Sequence, residues 1–171
     1  VALYKSLPYD PVKDFVPVAL YNKIPFVLVV HPSLPVQSIG DLVKLAKTQK
    51  LSYASTGTGA VPHMAGELFK SMTGIEMTHV PYRGVTQTLT DVIAGHVQMT
   101  FASPESAMSA IKDGRVRALG VSSLTRVPVL PDVAPLAESG LPGFEAVSWH
   151  LVVVPAGTPA PVVNLLHREF K

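Results

Sequence analysis

Cysteine is absent from this chain of 171 residues, which excludes disulfide bridges, thiol nucleophiles and thiolate zinc sites together. Charge is scarce as well: 15% of the residues are charged, the net charge is +2, and the basic residues are scattered. A chain without a dense basic run is not expected to bind nucleic acid. The sequence also lacks an apolar run of about 18 residues, the length that a membrane-spanning helix needs.

Motifs for catalysis and for phosphate binding are missing too. A P-loop needs Gly-Lys followed by Ser or Thr, and no Gly-Lys pair occurs in the sequence. The dinucleotide fingerprint begins at Gly57-Thr58-Gly59, but Pro62 stands where its third glycine belongs. No Gly-x-Ser-x-Gly elbow is present, and Ser55 with His63 lacks a placed acid. The sequence therefore predicts no cofactor, no metal site and no catalytic residue.

The sequence does contain an alternation of strand and helix signals. Apolar residues make up 47% of the chain, enough for a sizeable core. The apolar run at residues 24–30 predicts a strand buried on both faces, and residues 146–154 predict another. Between them lie helical stripes and four further predicted strands, at 51–55, 77–80, 97–101 and 115–121. This order predicts an α/β fold with a mostly parallel sheet and right-handed crossovers.

Three predicted loops, at residues 55–62, 82–87 and 102–106, follow strands and lead into helices. Ligands of open α/β sheets bind beyond these strand ends, and helix N-termini there offer free N–H groups and a favourable dipole to an anion. The loops carry small hydroxyl residues, and Arg83 adds a positive charge, so the sequence is compatible with a carboxylate held without lysine. Two readings stay open, because Ser, Thr and Gly are also ordinary cap and turn residues. Likewise, His63 is either a helix-start residue or a ligand contact, and Arg83 is also compatible with a solvated surface charge.

Six segments of the sequence resemble one known family, in the same order. They are "YDPVKDFVPVALY", "LVVHPSLPVQSIGDLVKLAK", "YASTGTGAVPHMAGELFKSMTGIEMTHVPYRG", "LTDVIAGHVQMTF", "RVRALGVSS" and "LPDVAPLAESGLPGFEAVSWHLVVVPAGTPAPVV". Together they resemble the extracytoplasmic solute-binding proteins of tripartite tricarboxylate transporters, called Bug proteins in the Bordetella lineage. The similarity covers essentially the whole chain.

The resemblance implies a two-lobed, periplasmic-binding-protein fold of type II, whose cleft binds a carboxylate or a related small solute. Residues 31–146 would form the solute-binding lobe two. Residues 1–30 would be a remnant of lobe one with the first crossover strand, and residues 147–171 the second crossover and the start of a lobe-one helix. Family members are not enzymes. The implied partners are a small organic anion and the permease subunits of the transporter, and the implied location is periplasmic.

Carried over position by position, the resemblance also implies a set of ligand-binding residues in the three loops. They are Ser55, Thr56, Gly57, Thr58, Gly59 and His63 from the first loop, Tyr82, Arg83, Gly84, Thr86 and Gln87 from the second, and Ala102 and Ser103 from the third. One departure concerns the third loop. Many family members carry Asp or Asn where this chain has Ala102-Ser103-Pro104.

Both ends of the chain suggest a fragment. Val1 is not an initiator methionine, and an apolar helical stripe that begins after Thr158 is still running at Lys171. Since family chains extend beyond both ends, we expect a signal peptide and the first lobe's ligand loop to lie outside this chain. Exposed remnants of lobe one would leave an apolar patch and favour a dimer.

The predicted function is extracytoplasmic binding of a small organic anion for delivery to a tripartite tricarboxylate-type transporter. One alternative is the effector-binding domain of a regulator, which would need a DNA-binding helix-turn-helix upstream. The other is a phosphate- or nucleotide-binding α/β enzyme domain. The absence of a phosphate-loop lysine and of a convincing acid–base pair counts against that alternative.

Overall fold

Strands and helices alternate along the chain in a computed structural model that describes residues 6–170. The strands are β1 (Phe15–Pro25), β2 (Val27–Val30), β3 (Leu51–Ser55), β4 (Met77–Pro81), β5 (Met99–Ala102), β6 (Arg117–Val121) and β7 (Val147–Pro155). The helices are α1 (Ile39–Ala46), α2 (Val61–Thr73), α3 (Val85–Ile93), α4 (Pro104–Lys112) and α5 (Ala160–Glu169), with a 3₁₀ turn at Leu136–Glu138. The proline-rich stretch around that turn, at residues 127–144, is otherwise irregular.

The described residues form two units. Unit 1 comprises the residues up to Ile24 and those from Ser148 onward, and unit 2 is Pro25–Val147. In unit 1, β1 and β7 pair as a two-stranded sheet, and the His167 Nδ1 atom of α5 lies 2.6 Å from the carbonyl oxygen of Val18. The domain boundaries drawn from the resemblance, 1–30, 31–146 and 147–171, stay predictions. Residues 1–5 and 171 of those ranges lie outside the described residues.

Unit 2 is built on a five-stranded sheet of order β4-β3-β5-β2-β6. Strand β3 is parallel to β4 and to β5, whereas β2 is antiparallel to β5 and to β6. Strands β3 to β6 therefore all run in one direction and β2 alone is reversed. The α/β fold with a mostly parallel sheet is confirmed. The alternation of signals did not predict the reversed strand, which enters the sheet without a helical crossover before it.

Helices cover both faces of the unit 2 sheet. Leu28 and Val30 pack with α1 and α2 on one face, while Val27 and Val29 pack with α3 and α4 on the other. All four side chains are fully buried, as expected of a strand with both faces covered. This interior strand of the sheet, β2, confirms the second half of the buried strand predicted at 24–30.

Two predicted strands differ from what the structure shows. The run at 24–30 is divided at Phe26, where β1 ends and β2 begins, because the backbone of Phe26 bonds to Ser122 instead of continuing either ladder. The strand predicted at 146–154 is present as β7, but its predicted burial is wrong. Alternate side chains Trp149, Leu151 and Val153 are 60%, 44% and 43% exposed.

Candidate functional site

The three loops predicted to bind ligand leave three adjacent strands at one edge of the unit 2 sheet. The first follows β3, which lies between β4 and β5, the strands that precede the second and third loops. The first two loops are joined where Tyr82 N–H donates to the Ser55 carbonyl at 2.8 Å. The strands before the first and third loops are joined where the Thr100 hydroxyl donates to the Ala54 carbonyl at 2.9 Å. The structure thus brings all three loops together.

In the first loop, the hydroxyl of Ser55 already has hydrogen-bond partners within the protein. Its side chain is fully buried. The hydroxyl donates to the Gly57 carbonyl and accepts from the Gly57 N–H, both at 3.1 Å, and it lies 2.6 Å from Nε2 of His79. Gly57 has a φ of +126°, a conformation that favours glycine. Ser55 therefore shapes the loop, and the more accessible groups lie beyond it, at residues 56–59.

Behind the first loop lies a group of aromatic and charged side chains. His79 stacks on Tyr53, with ring centroids 5.0 Å apart, and lies 4.2 Å from the ring centroid of His63. The Tyr53 hydroxyl donates to Glu67 at 2.6 Å, and Lys70 pairs with the same carboxylate at 3.1 Å. Burial, with the charge of His63 next in importance, lowers the pKa of His79. The hydrogen bond from Tyr53 lowers the pKa of Glu67. Burial raises the pKa of the Tyr53 hydroxyl.

The second loop divides into two surfaces. Arg83 is exposed and, within residues 6–170, makes no ion pair. The Tyr82 hydroxyl is occupied, since it donates to Asp91 at 2.6 Å. Burial, with the Asp91 bond, raises the pKa of Tyr82 to about 12, and the same hydrogen bond lowers the pKa of Asp91. Tyr82 and Asp91, together with Thr86, Gln87 and Thr90, line an open cavity of about 350 Å³. An ionised Asp91 makes that cavity a poor place for an anion.

The third loop is a capped helix start. The Ser103 hydroxyl accepts from the Ser106 N–H at 3.4 Å and also contacts the Ser106 hydroxyl at 3.1 Å. Ala102 is 5% exposed, so it offers little to a ligand. For Ser103, the reading as an ordinary cap residue describes its contacts in full. Glu105, in the first turn of the same helix, is exposed.

Helix α2 and helix α3 start differently. Among the described residues, no side chain caps the first turn of either helix. In α2 the first helical bond runs from Met64 N–H to the Ala60 carbonyl, and in α3 from Thr88 N–H to the Gly84 carbonyl. The N–H groups of Val61, His63 and residues 85–87 precede those bonds, so they have no carbonyl partner within their helix. Two adjacent loops therefore lead to uncapped helix N-termini at the same sheet edge.

The sequence reasoning missed a fourth strand end at this edge. Ser122 follows β6 and is fully buried. Its hydroxyl donates to the Ala146 carbonyl at 2.6 Å and accepts from the Phe26 N–H at 2.8 Å. Its position directly after a predicted strand was a usable signal. His79 was also missed. It lies on the strand face of Tyr53 and Ser55, which the two-residue period of β3 and β4 could have indicated.

Two negative findings apply to residues 6–170. No group of three or more His, Cys, Asp or Glu side chains in this part of the chain is arranged to hold a metal ion. None of its helices combines the length and apolar character needed to cross a membrane.

Comparison with known families and curated sequences gives one consistent result. A family model for the tripartite tricarboxylate transporter family receptor matches residues 2–171. A UPF0065 protein from the tcbD-tcbE intergenic region of Pseudomonas sp. (strain P51) is 44% identical over 98% of this chain and 51% of its own length. Protein BugT of Bordetella pertussis is 32% identical over 99% of this chain and 53% of its own length. The chain spans about half the length of the curated relatives it matches.

Solved structures agree with the sequence relatives. R. palustris Rpa4515 with adipate matches with a TM-score of 0.84 and 37% identity, over 98% of this chain and 56% of that protein. MatC of Rhodopseudomonas palustris, with bound malate, has a TM-score of 0.81 and 32% identity, over 99% of this chain and 58% of that protein. The periplasmic binding protein BugD has a TM-score of 0.81 and 32% identity over 98% and 56%. The periplasmic-binding-protein architecture expected from the sequence is therefore confirmed.

Proposed function

The chain belongs to the tripartite tricarboxylate transporter receptor family, and on that premise we propose that unit 2 binds the carboxylate of a small organic acid at the edge of its sheet. The observation that carries the proposal is the pair of uncapped N-termini of α2 and α3, which follow neighbouring strands β3 and β4. Each N-terminus offers N–H donors and about half a positive charge.

Backbone donors suit a ligand that has to be released again. A carboxylate held by N–H groups at helix N-termini gains charge-assisted hydrogen bonds without a fixed ion pair. The loop residues Thr56 and Thr58, half-buried and exposed respectively, add hydroxyl donors that can turn toward either oxygen. We therefore propose Thr56, Thr58 and the first turn of α2 as the principal contacts. Gly57 and Gly59 shape the loop, since their N–H groups donate to Ser55 and His63.

The second loop is placed to bind a second carboxylate of the same ligand. Rpa4515 and MatC are described with adipate and with malate, and both of these ligands are dicarboxylates. In this chain Arg83 is exposed and follows β4. Because β4 pairs with β3, the second loop lies beside the first. A guanidinium binds a carboxylate through two parallel hydrogen bonds. A dicarboxylate is accordingly the proposed ligand class. Gly84 and the backbone N–H groups of residues 85–87 supply the adjacent helix start, while the side chains of Thr86 and Gln87 line the Asp91 cavity.

The wider role follows from the family. We propose that the protein works outside the cytoplasm and delivers its ligand to the permease subunits of a tripartite tricarboxylate-type transporter. We also propose that it is a receptor and not an enzyme. Burial of Ser55 supports the latter point, because a serine whose hydroxyl is enclosed by Gly57 and His79 is not available to attack a bound substrate.

Unit 1 carries the proposed dimer contact. Trp149, Leu151 and Val153 alternate along β7, so they lie on one face of the strand, and all three are exposed. An apolar strand face of this kind can pack against its own copy in a symmetric dimer. The proposed occupant of this face is therefore a second copy of the chain.

Calorimetric titration of the protein at its natural length tests the ligand proposal. Malate and adipate are titrated beside their uncharged diamides, which keep the shape and lose the charge. Saturable heat with a dicarboxylate and none with its diamide is the expected result. Binding of neither dicarboxylate, or equal binding of the diamide, contradicts the proposal. Native mass spectrometry of the protein as purified adds an independent readout, since a retained ligand shows as an adduct that denaturation removes.

A further inference from the structure

His79, which is half-buried, lies against the fully buried Ser55, whose hydroxyl bonds to Gly57 of the ligand loop. Ser55 ends β3 and His79 lies in the middle of β4, the strand paired with β3. The Ser55 hydroxyl is fully buried, and Nε2 of His79 lies 2.6 Å from it. At this distance the contact is a hydrogen bond, and its direction depends on the tautomer of His79 and on where the Ser55 hydroxyl proton points.

The other partners of the Ser55 hydroxyl favour one position for the proton. The Gly57 N–H donates to the Ser55 oxygen, and the single hydroxyl proton of Ser55 points to the Gly57 carbonyl. With the hydroxyl proton on the Gly57 carbonyl, the 2.6 Å contact is a hydrogen bond only if His79 donates from Nε2–H. Both peptide groups of Gly57 are then held by Ser55, while His79 holds Ser55. The loop turns at Gly57 with a φ of +126°, a conformation open to glycine, and these bonds hold the residue in it.

The other end of the loop is held by the second histidine. The Gly59 N–H donates to Nδ1 of His63 at 3.1 Å, and the two imidazole rings are 4.2 Å apart. Two adjacent imidazoles thus brace the two ends of one short loop. The charged groups packed around them are Glu67 and Lys70 on α2, which pair with each other, and Tyr53 on β3 donates to Glu67.

We propose that His79 is a positioning residue for ligand binding: its Nε2–H donates to Ser55 and so holds the loop of residues 55–59 in the conformation that receives the carboxylate. The inference deepens the proposed function and rests on it. Ser55 changes role accordingly, from a ligand contact to the internal brace of the loop. His79 itself does not touch the ligand.

Two substitutions separate the donated hydrogen bond from ordinary packing. His79→Phe keeps an aromatic ring beside Tyr53 and His63 but removes the donor. His79→Gln gives up the ring but keeps an N–H donor, its Nε2, at the same number of bonds from the backbone. If packing alone matters, Phe is the milder change. If the donor matters, Gln is the milder change for ligand affinity.

The test measures the dissociation constants of malate and adipate for the wild type and both variants at natural length, with melting temperatures recorded in parallel. We expect His79→Phe to weaken binding roughly threefold to tenfold, the worth of one hydrogen bond, and His79→Gln to stay within about twofold. Unchanged affinity in the Phe variant, or equal losses in both, overturns the positioning role. A wild type that binds neither acid overturns the proposed function itself and the inference with it.

A measurement without ligand addresses the assigned proton separately. Long-range ¹H–¹⁵N correlation spectra distinguish a proton on Nε2 from one on Nδ1 in a neutral imidazole. For the protein at pH 8, His79 is expected in the Nε2–H form. An Nδ1–H form overturns the inference even where dicarboxylate binding is established.

Discussion

The hydroxyl of Ser122 donates a hydrogen bond of 2.6 Å to the carbonyl of Ala146. The same oxygen accepts from the Phe26 N–H, and the Ser122 backbone bonds to both of these residues as well. One buried serine therefore ties together the segments by which the chain enters and leaves unit 2.

Replacing Ser122 by alanine is predicted to lower the free energy of unfolding by about 1–3 kcal/mol, because it leaves the part-buried N–H of Phe26 and C=O of Ala146 without their hydroxyl partner. Ser123→Ala is the matched control, since that hydroxyl bonds only to the Thr125 carbonyl at an exposed turn. Urea unfolding of both variants measures the difference. Equal stability of the two variants would contradict the proposed importance of Ser122.

Gly57→Asp is predicted to reduce dicarboxylate affinity at least tenfold, because it places a like charge in the proposed anion loop and strains a residue of φ +126°. Gly140→Asp adds the same charge at φ +99° with no atom within 4 Å of the new Cβ, so it controls for charge and strain. Calorimetric titration with malate and adipate compares them. If both variants keep the wild-type affinity, the anion site does not lie in the loop at Gly57.

Stability is predicted to fall as the pH drops below about 6.5. Burial lowers the pKa of His79 in the folded protein, so between that lowered value and 6.5 the unfolded chain binds a proton that the folded chain does not, and protonation favours unfolding. The stabilising effect is complete above about 6.5 and is lost on acidification. Melting temperatures at pH 7.5 and 5.5 measure the slope for the wild type and His79→Gln. If the melting temperature of His79→Gln depends on pH as strongly as that of the wild type, groups other than His79 cause the dependence.

Gly66→Ala is predicted to destabilise the protein by about 1–3 kcal/mol, the cost of overpacking a filled core. A Cβ at this buried position of α2 would overlap the ring of Tyr53, which is held by Glu67 and His79. That loss exceeds the gain of about 1 kcal/mol that alanine brings to a helix. Gly40→Ala, in the exposed first turn of α1 with its nearest neighbour at 3.7 Å, should be neutral or stabilising. Chemical denaturation of both variants measures whether overpacking outweighs the helix propensity of alanine at Gly66. A Gly66→Ala variant as stable as the wild type would contradict the prediction.

The chain of 171 residues is predicted to form dimers through the β7 face. Replacing Leu151 and Val153 by threonine keeps the strand preference and removes apolar surface, so the variant should be monomeric. Leu124→Thr, at an exposed loop of unit 2, should dimerise like the unaltered chain. Light scattering across a concentration series gives the mass in each case. A monomeric mass for the unaltered chain at every concentration would remove the proposal.

Local sequence signals predicted the repeated strand–loop–helix units well. Strand β3, the loop at Gly57 and helix α2 each carry their own pattern of side chains and turn residues, so their order could be read without knowing the rest of the fold. The grouping of three loops at one sheet edge followed, because parallel strands place their carboxyl ends together.

Long-range pairings could not be predicted in the same way. Ser122 meets residue 26, which is 96 positions away, and His79 meets Ser55 only because β3 and β4 pair in one particular register. The reversed strand β2 lies between β5 and β6, although nothing in its uniformly apolar sequence specifies a direction. Such features depend on which segments meet, and the periodicity of a single segment carries no information about its partner.

The bonds of Ser122 also have a consequence for protein engineering. Since Phe26 and Ala146 both bond to this one residue, the two ends of unit 2 lie side by side, as they do in domains that tolerate insertion into a host protein. A short peptide linker could close the unit into a ring. New chain ends could then be opened at Gly114, an exposed turn after α4, to give a circular permutant of the ligand-binding unit.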